Sequence, residues 1–249
     1  MTIVKTKFNP IEDLHVKERC CGPHIFGLGR EPLVHMGFYN AFLSIAHVVK
    51  DEIIPRVLDK KVEEINFVGH SLGGALANLL FAFFLQLVNV DLLVKSEVKV
   101  SFFTIGQPRV GNNVFVKMLE DLGAPLKKAK LLKTFRMICN LDLVPAVPIF
   151  SLGFRHFGKP ALIHAVNDND MKLLFGIKPE HKDADDENSN ICNSCLICST
   201  ACCVEQKPWK NTRFEAWLTS PKDLIQNHSP KEYYQKCKFV DREYKRPEH

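Results

Sequence analysis

The chain has 249 residues, 46% of them hydrophobic, and a formal net charge of +5 from 33 basic and 28 acidic side chains. That is enough apolar material for one substantial core, and domains of this size often stay undivided, so a single domain over residues 1–249 is expected. The basic residues are scattered instead of forming a tract, which argues against nucleic acid as a partner and leaves a slight attraction to anionic lipid surfaces.

Residues 1–18 hold no apolar core long enough for a signal peptide and no small-residue cleavage site, so the sequence as written reads as cytoplasmic. Residues 36–60 carry apolar side chains at helical spacing (Phe38, Ala41, Phe42, Ile45, Val48, Val49, Ile53), which predicts a helix with Pro55 as its kink or stop. That helix feeds a short apolar strand at residues 65–68. The stretch INFVGHSLGGALANLL, residues 65–80, then breaks into Gly-x-Ser-x-Gly and runs straight into a helix. Residues 75–94 form the most hydrophobic segment and are nearly long enough to span a bilayer. They include Asn78, Gln86, Asn89 and Asp91, however, and begin on the serine turn, which predicts a buried core helix. Next come a buried strand at residues 98–105, a tight loop at 106–112, a helix at 114–122 and a third strand at 133–139. Strands alternating with helices predict an α/β fold with a mostly parallel central sheet covered by helices.

A serine hydroxyl is a poor nucleophile until a base removes its proton, and it must project where base and substrate reach it together. A sharp strand-to-helix turn does this, and side chains at the flanking positions would collide with strand and helix; Gly69, Ser71 and Gly73 fit that requirement. The N-terminus of the following helix offers backbone N–H groups to a developing oxyanion, with Leu72 N–H as the natural first donor. Where a serine sits on such a turn, the partners follow along the chain as Asp or Glu, then His. Asp142 comes after the strand FRMIC and so falls in a loop at the same sheet edge as Ser71; a solvated loop aspartate is the alternative. Asp121 lies inside a predicted helix, and Asp168 and Asp170 sit in a polar stretch with no strand expected before them.

The strings GHSLGGALA at residues 69–77, GQPRVGN at 106–112 and RMICNLDLVPAVP at 136–148, with VHMGFYNAF at 34–42, appear in the order found in the class 3 lipases. These are fungal-type α/β-hydrolases acting on acylglycerols, and the chain resembles them over roughly half its length. The resemblance implies Ser71 as nucleophile, Asp142 as the triad acid and carboxylic ester hydrolysis by way of an acyl-enzyme. It also implies a base late in the chain, in a loop written Asp-His followed shortly by tyrosine or phenylalanine. NHSPKEYYQ, residues 227–235, is similar in form and points to His228, with Asn227 replacing the usual aspartate. His156 is read as structural, and His249 as terminal. No metal or organic cofactor is needed for this reaction; the implied partner is a lipid ester.

In the family the second oxyanion donor comes from Arg-Gly-Ser or Arg-Gly-Thr at the end of an early strand. Here VKTKFNPIEDL, residues 4–14, puts Thr6 in the expected place with lysine where glycine would be. The chain begins too late to supply that whole strand, so shortened N-terminal strands are expected, and a signal or membrane segment is open to having been lost with them. By position residues 7–16 are the lid, with Cys20, Cys21 and the Gly27–Gly29 stretch behind it. The competing reading is a catalytically weak or inactive lipase-like protein that associates with membranes or binds metal.

Residues 178–210 read as a cysteine-rich insertion, in which ICNSCLICSTACC places Cys192, Cys195, Cys198 and Cys202 at C-x2-C-x2-C-x3-C with Cys203 adjacent. An iron–sulfur run lacks its second cysteine group and following proline. Structural zinc with help from His181 and plain reduced thiols remain open. Reversible S-acylation is the leading specific reading, since it would hold the active site against a membrane through the segment 192–203.

Overall fold

The computed structural model describes residues 17–19, 31–59, 62–139, 142–148, 153–158, 160–167, 170–175 and 226–243. Five strands form the main sheet: β3 (Glu64–His70), β4 (Lys99–Ile105), β6 (Leu132–Cys139), β8 (Pro160–Asn167) and β9 (Asp170–Phe175), in that spatial order. The first four are parallel and β9 returns antiparallel to β8. The chain is thus α/β with a mostly parallel sheet, as the alternating pattern predicts. A second, small sheet joins β1 (Lys17–Arg19), β2 (Leu33–His35), β5 (Gly111–Asn112) and β7 (Phe154–Arg155).

The helix expected over residues 36–60 is broken into α1 (Met36–Leu43), a π-helical turn (Val48–Ile53) and α2 (Ile54–Leu58). Pro55 does not end a helix but sits in the first turn of α2. There its missing N–H costs nothing, and the wide π turn before it accommodates the ring. The apolar segment expected as one helix over 75–94 is also two: α3 (Leu72–Leu87) and α4 (Val90–Lys95). Asn89 divides them, because its side chain accepts from Leu92 N–H and caps a new helix. Helix α5 (Asn113–Lys128) runs past the expected end at 122, carrying Pro125 inside it, and buries Leu126 in its last turn. Asn112 caps it, its side-chain oxygen accepting from Phe115 N–H at 2.9 Å. Strand β8 was not expected: it ends at Asn167 and turns into β9, so Asp170 does follow a strand.

Helix α3 lies along the sheet and has ten of its residues buried. Its Phe81 and Phe84 meet Phe67 of β3, and Phe81 also stacks on Phe102 of β4. Burying each such ring contributes roughly 1.5–3 kcal/mol. This aromatic seam between sheet and helix fixes the end of β3, and with it the turn carrying Ser71. Among the described residues no helix is long and apolar enough to cross a membrane. Thr6, Cys20, Cys21, the expected lid, Asp168, His181, the cysteine run 192–203 and His249 lie outside the described residues.

Candidate active site

Ser71 stands between β3 and α3 with φ 56° and ψ −126°, a left-handed backbone conformation for a residue that has a side chain. Such strain persists only where the surroundings over-determine it. Here they do: Ser71 N–H donates to Ile105 O at 2.9 Å on β4, and Ser71 O accepts from Gly74 N–H at 2.9 Å. The turn is so tight that a Cβ on Gly69 would lie 2.1 Å from Gly73 O. Leu72 is the first helical residue, and an N–H in the first turn has no partner within its helix.

Asp142 follows β6, and its carboxylate is completely buried. Three donors converge on it. Val144 N–H gives 2.9 Å to Oδ1; the Tyr233 hydroxyl at 2.7 Å and His228 Nδ1–H at 2.8 Å both reach Oδ2. Three donors satisfy this buried carboxylate. His228 sits in the turn before α6 (Pro230–Glu243), and its Nε2 accepts from Ser71 Oγ–H at 2.6 Å. The bond from Nδ1 to the carboxylate fixes the tautomer, so Nε2 is the bare nitrogen facing the hydroxyl. Residues 71, 142 and 228, which the sequence picks from separate stretches, are therefore joined in one hydrogen-bonded line. Its inner end is buried, and its outer end is partly open to solvent.

His156 does not join this line. Its Nε2–H donates to Pro145 O at 2.8 Å, holding the short 3-10 turn (Val144–Ala146) that follows Asp142. Burial first, then the nearby Arg136 and Arg109 guanidiniums, hold its pKa well below the usual histidine value. It is neutral packing, as the sequence suggests.

Four further residues support the line, and sequence reasoning assigned none of them a role. Tyr233 accepts from Cys139 N–H at 3.1 Å while donating to Asp142, so it ties the last helix to the end of β6. Burial, then the charge on Asp142, push its pKa upward and keep it a donor. Burial likewise pushes the neighbouring Cys139 thiol up to about 12, which leaves it an inert packing group. Arg109, fully buried in the GQPRVGN loop, donates to Ala146 O and to Pro148 O, and its N–H reaches Val147 O at 2.8 Å. It buttresses the far side of the Asp142 loop. Lys236 donates to Asn227 Oδ1 at 2.7 Å, clamping the His228 turn from behind; the asparagine in the usual aspartate position is thus engaged by a lysine. His70 donates from Nε2 to His228 O at 2.8 Å. The legible signal for Tyr233 was the tyrosine shortly after the base; the rest become visible only through contacts across the fold.

The family model of class 3 lipases matches residues 4–152, more than half of the chain. The chain belongs to the class 3 lipases. The matched stretch contains Ser71 and Asp142 and ends before His228, which reaches them through the fold. A lipase of Rhizopus niveus is 30% identical over 140 residues, covering 55% of this chain and 32% of that protein. The chloroplastic phospholipase A(1) DAD1 of Arabidopsis thaliana is 29% identical over 140 residues, covering 54% of this chain and 28% of that one. Among solved structures, the Rhizomucor miehei lipase propeptide complex aligns at 27% identity with a TM-score of 0.43, covering 58% of this chain and 42% of that one. The chain spans about a third of the length of the relatives it matches by sequence.

Proposed function

We propose that this class 3 lipase chain hydrolyses carboxylic esters of lipids, with Ser71 as nucleophile, His228 as general base and acid, and Asp142 as the residue that orients the imidazole. The observation that carries the reading is the continuous pair of bonds from Ser71 Oγ to His228 Nε2 and from His228 Nδ1 to Asp142 Oδ2. His228 takes the proton as Ser71 Oγ attacks the ester carbonyl, and the imidazolium that forms is stabilised by the buried carboxylate. The oxyanion is met by Leu72 N–H, with Thr6 as the second donor implied by the family resemblance. His228 returns its proton to the leaving alcohol, and water, activated by the same nitrogen, clears the acyl-enzyme.

The relatives' names run from lipase to mono- and diacylglycerol lipase and phospholipase A(1), and lipid esters are what they share. The site itself needs only an ester carbonyl beside Ser71. The deciding experiment is labelling with a fluorophosphonate, which phosphonylates an activated serine without any guess about the acyl chain. The parent protein is expected to label at Ser71, and Ser71→Ala to abolish labelling and lower ester turnover by several powers of ten, roughly as in other triads. Parent protein that fails to label, or a Ser71→Ala variant with undiminished turnover, removes the assignment.

A further inference from the structure

We infer that His70, the residue before the nucleophile, is a positioning residue that sets the base: its Nε2–H holds the backbone of His228 while its ring supports the face of the catalytic imidazole. For its effect on rate the inference rests on the hydrolase reading; for its effect on the placement of His228 it rests on geometry alone.

His228 is carried by a turn and not by a strand or the interior of a helix, so regular secondary structure does not hold its ring. Its Nδ1 and Nε2 bonds fix the ring in its own plane. They leave two freedoms: displacement of the turn as a body, and tilt of the ring about the line joining Asp142 and Ser71. His70 restrains both. A carbonyl oxygen only accepts, so the 2.8 Å contact between His70 Nε2 and His228 O requires a proton on His70 Nε2. This bond ties the end of β3 to a turn 158 residues further on. The two imidazoles also stack, with centroids 4.8 Å apart and planes 28° from parallel. Tyr233 adds a further contact, its ring meeting His70 edge-on at 6.1 Å while its hydroxyl holds Asp142.

The arrangement also couples nucleophile and base mechanically. His70 and Ser71 are adjacent on one strand end, so any movement of Ser71 carries along the group that places His228. The distance over which the proton must travel is then set within one local unit. A misplacement of about 1 Å in such a relay is enough to cost about a hundredfold in rate.

Three variants separate the donor from the ring. His70→Phe keeps a flat ring for stacking and removes the donor; His70→Gln places an amide N–H near the Nε2 position; His70→Asn carries the same amide too short to reach. Each is read by its fluorophosphonate labelling rate constant and by the far-downfield proton resonance of His228 Nδ1–H, which reports the bond to Asp142. His70→Phe and His70→Asn are expected to label about tenfold to a hundredfold more slowly than the parent. Their downfield resonance broadens or disappears, and His70→Gln recovers most of both. Should His70→Phe not fold, the Gln and Asn variants carry the same comparison. His70→Phe labelling at the parent rate with its resonance intact overturns the inference, and so does a His70→Gln variant as impaired as His70→Asn. If the parent shows the resonance but does not label, while the variants still lose and regain that resonance, the hydrolase reading falls and the positioning role stands.

Discussion

Gly106 follows the carboxyl end of β4, and a methyl group there would enter the place where Asp142 and His228 meet. Its φ is +57°, and a Cβ would stand 3.0 Å from Asp142 Oδ2, 3.0 Å from His228 Cε1 and 3.1 Å from His228 Nδ1. Contacts this close are tighter than ordinary side-chain contacts, so each neighbour must give by a few tenths of an ångström. None can do so freely: Asp142 is held by three donors, and His228 is held at both ring nitrogens and at its carbonyl. Gly106→Ala therefore carries two costs. The left-handed backbone costs roughly 1–2 kcal/mol for a residue with a side chain, and the crowding adds about 1 kcal/mol or more. A loss near 2 kcal/mol lowers Tm by about 4–8 °C in a chain of this size. Labelling by the fluorophosphonate should fall about tenfold to a hundredfold, because the methyl wedges the acid and base apart. Gly158→Ala is the matched control. Its φ of +91° is at least as unfavourable, yet its Cβ would meet Phe102 at 3.6 Å and Thr134 at 3.8 Å, both ordinary contacts. It should lose the backbone share of that stability, roughly 1–2 kcal/mol, and keep its labelling rate. Gly106→Ala labelling as fast as the parent, or Gly158→Ala slowed to the same degree, would refute the reasoning.

Tyr233→Phe removes one of three donors from the buried Asp142 carboxylate and the hydroxyl that accepts from Cys139 N–H, so it should lower unfolding free energy by roughly 1–3 kcal/mol in a denaturant titration. Its labelling should slow by about tenfold, while a variant that keeps both parent values shows that the hydroxyl matters to neither. His156 is held neutral by burial and by the two arginines. Above the ordinary histidine value neither folded nor unfolded chain binds this proton; below it the unfolded chain takes up a proton that the folded chain refuses. Stability should therefore fall as pH drops from about 6.5 toward the depressed folded value, by at most about 1.4 kcal/mol per pH unit. His156→Gln keeps a donor for Pro145 O and should flatten that part of the Tm–pH curve; a curve as steep as the parent's assigns the effect elsewhere.

The turn at Ser71 was legible because its requirements are local. Glycine at 69 and 73 answers a steric demand within five residues, and the 2.1 Å approach of Gly73 O shows how strict the demand is at Gly69. Asp142 was one candidate by its order along the chain, with a solvated loop aspartate as the alternative, and the family resemblance favoured it; its bonds to Tyr233 and Val144 were not legible. His228 needed the family resemblance, since a histidine in a turn has no periodicity to betray it. Tyr233, His70 and Arg109 act across 37 to 158 residues of sequence, and their contacts exist only once the sheet brings those segments together. The helix boundaries failed for a different reason. Asn89 was weighed as a polar residue against a membrane span and Pro55 as a kink or stop, whereas in the fold Asn89 caps a new helix and Pro55 lies in the first turn of one, where an unpaired helix end or a missing N–H is least costly.

The last helix, α6, has a consequence for how this molecule would come apart. Among its described side chains, which run from Pro230 to Cys237, Tyr233 and Lys236 are buried. The parts of a fold open at different free energies. Undocking α6 would withdraw Tyr233 from the acid and carry off the turn that bears the base, while the aromatic seam between α3 and the sheet stayed closed. Were α6 to undock first on warming, labelling of Ser71 would be lost before the shape, and its rate would serve as the more sensitive thermometer.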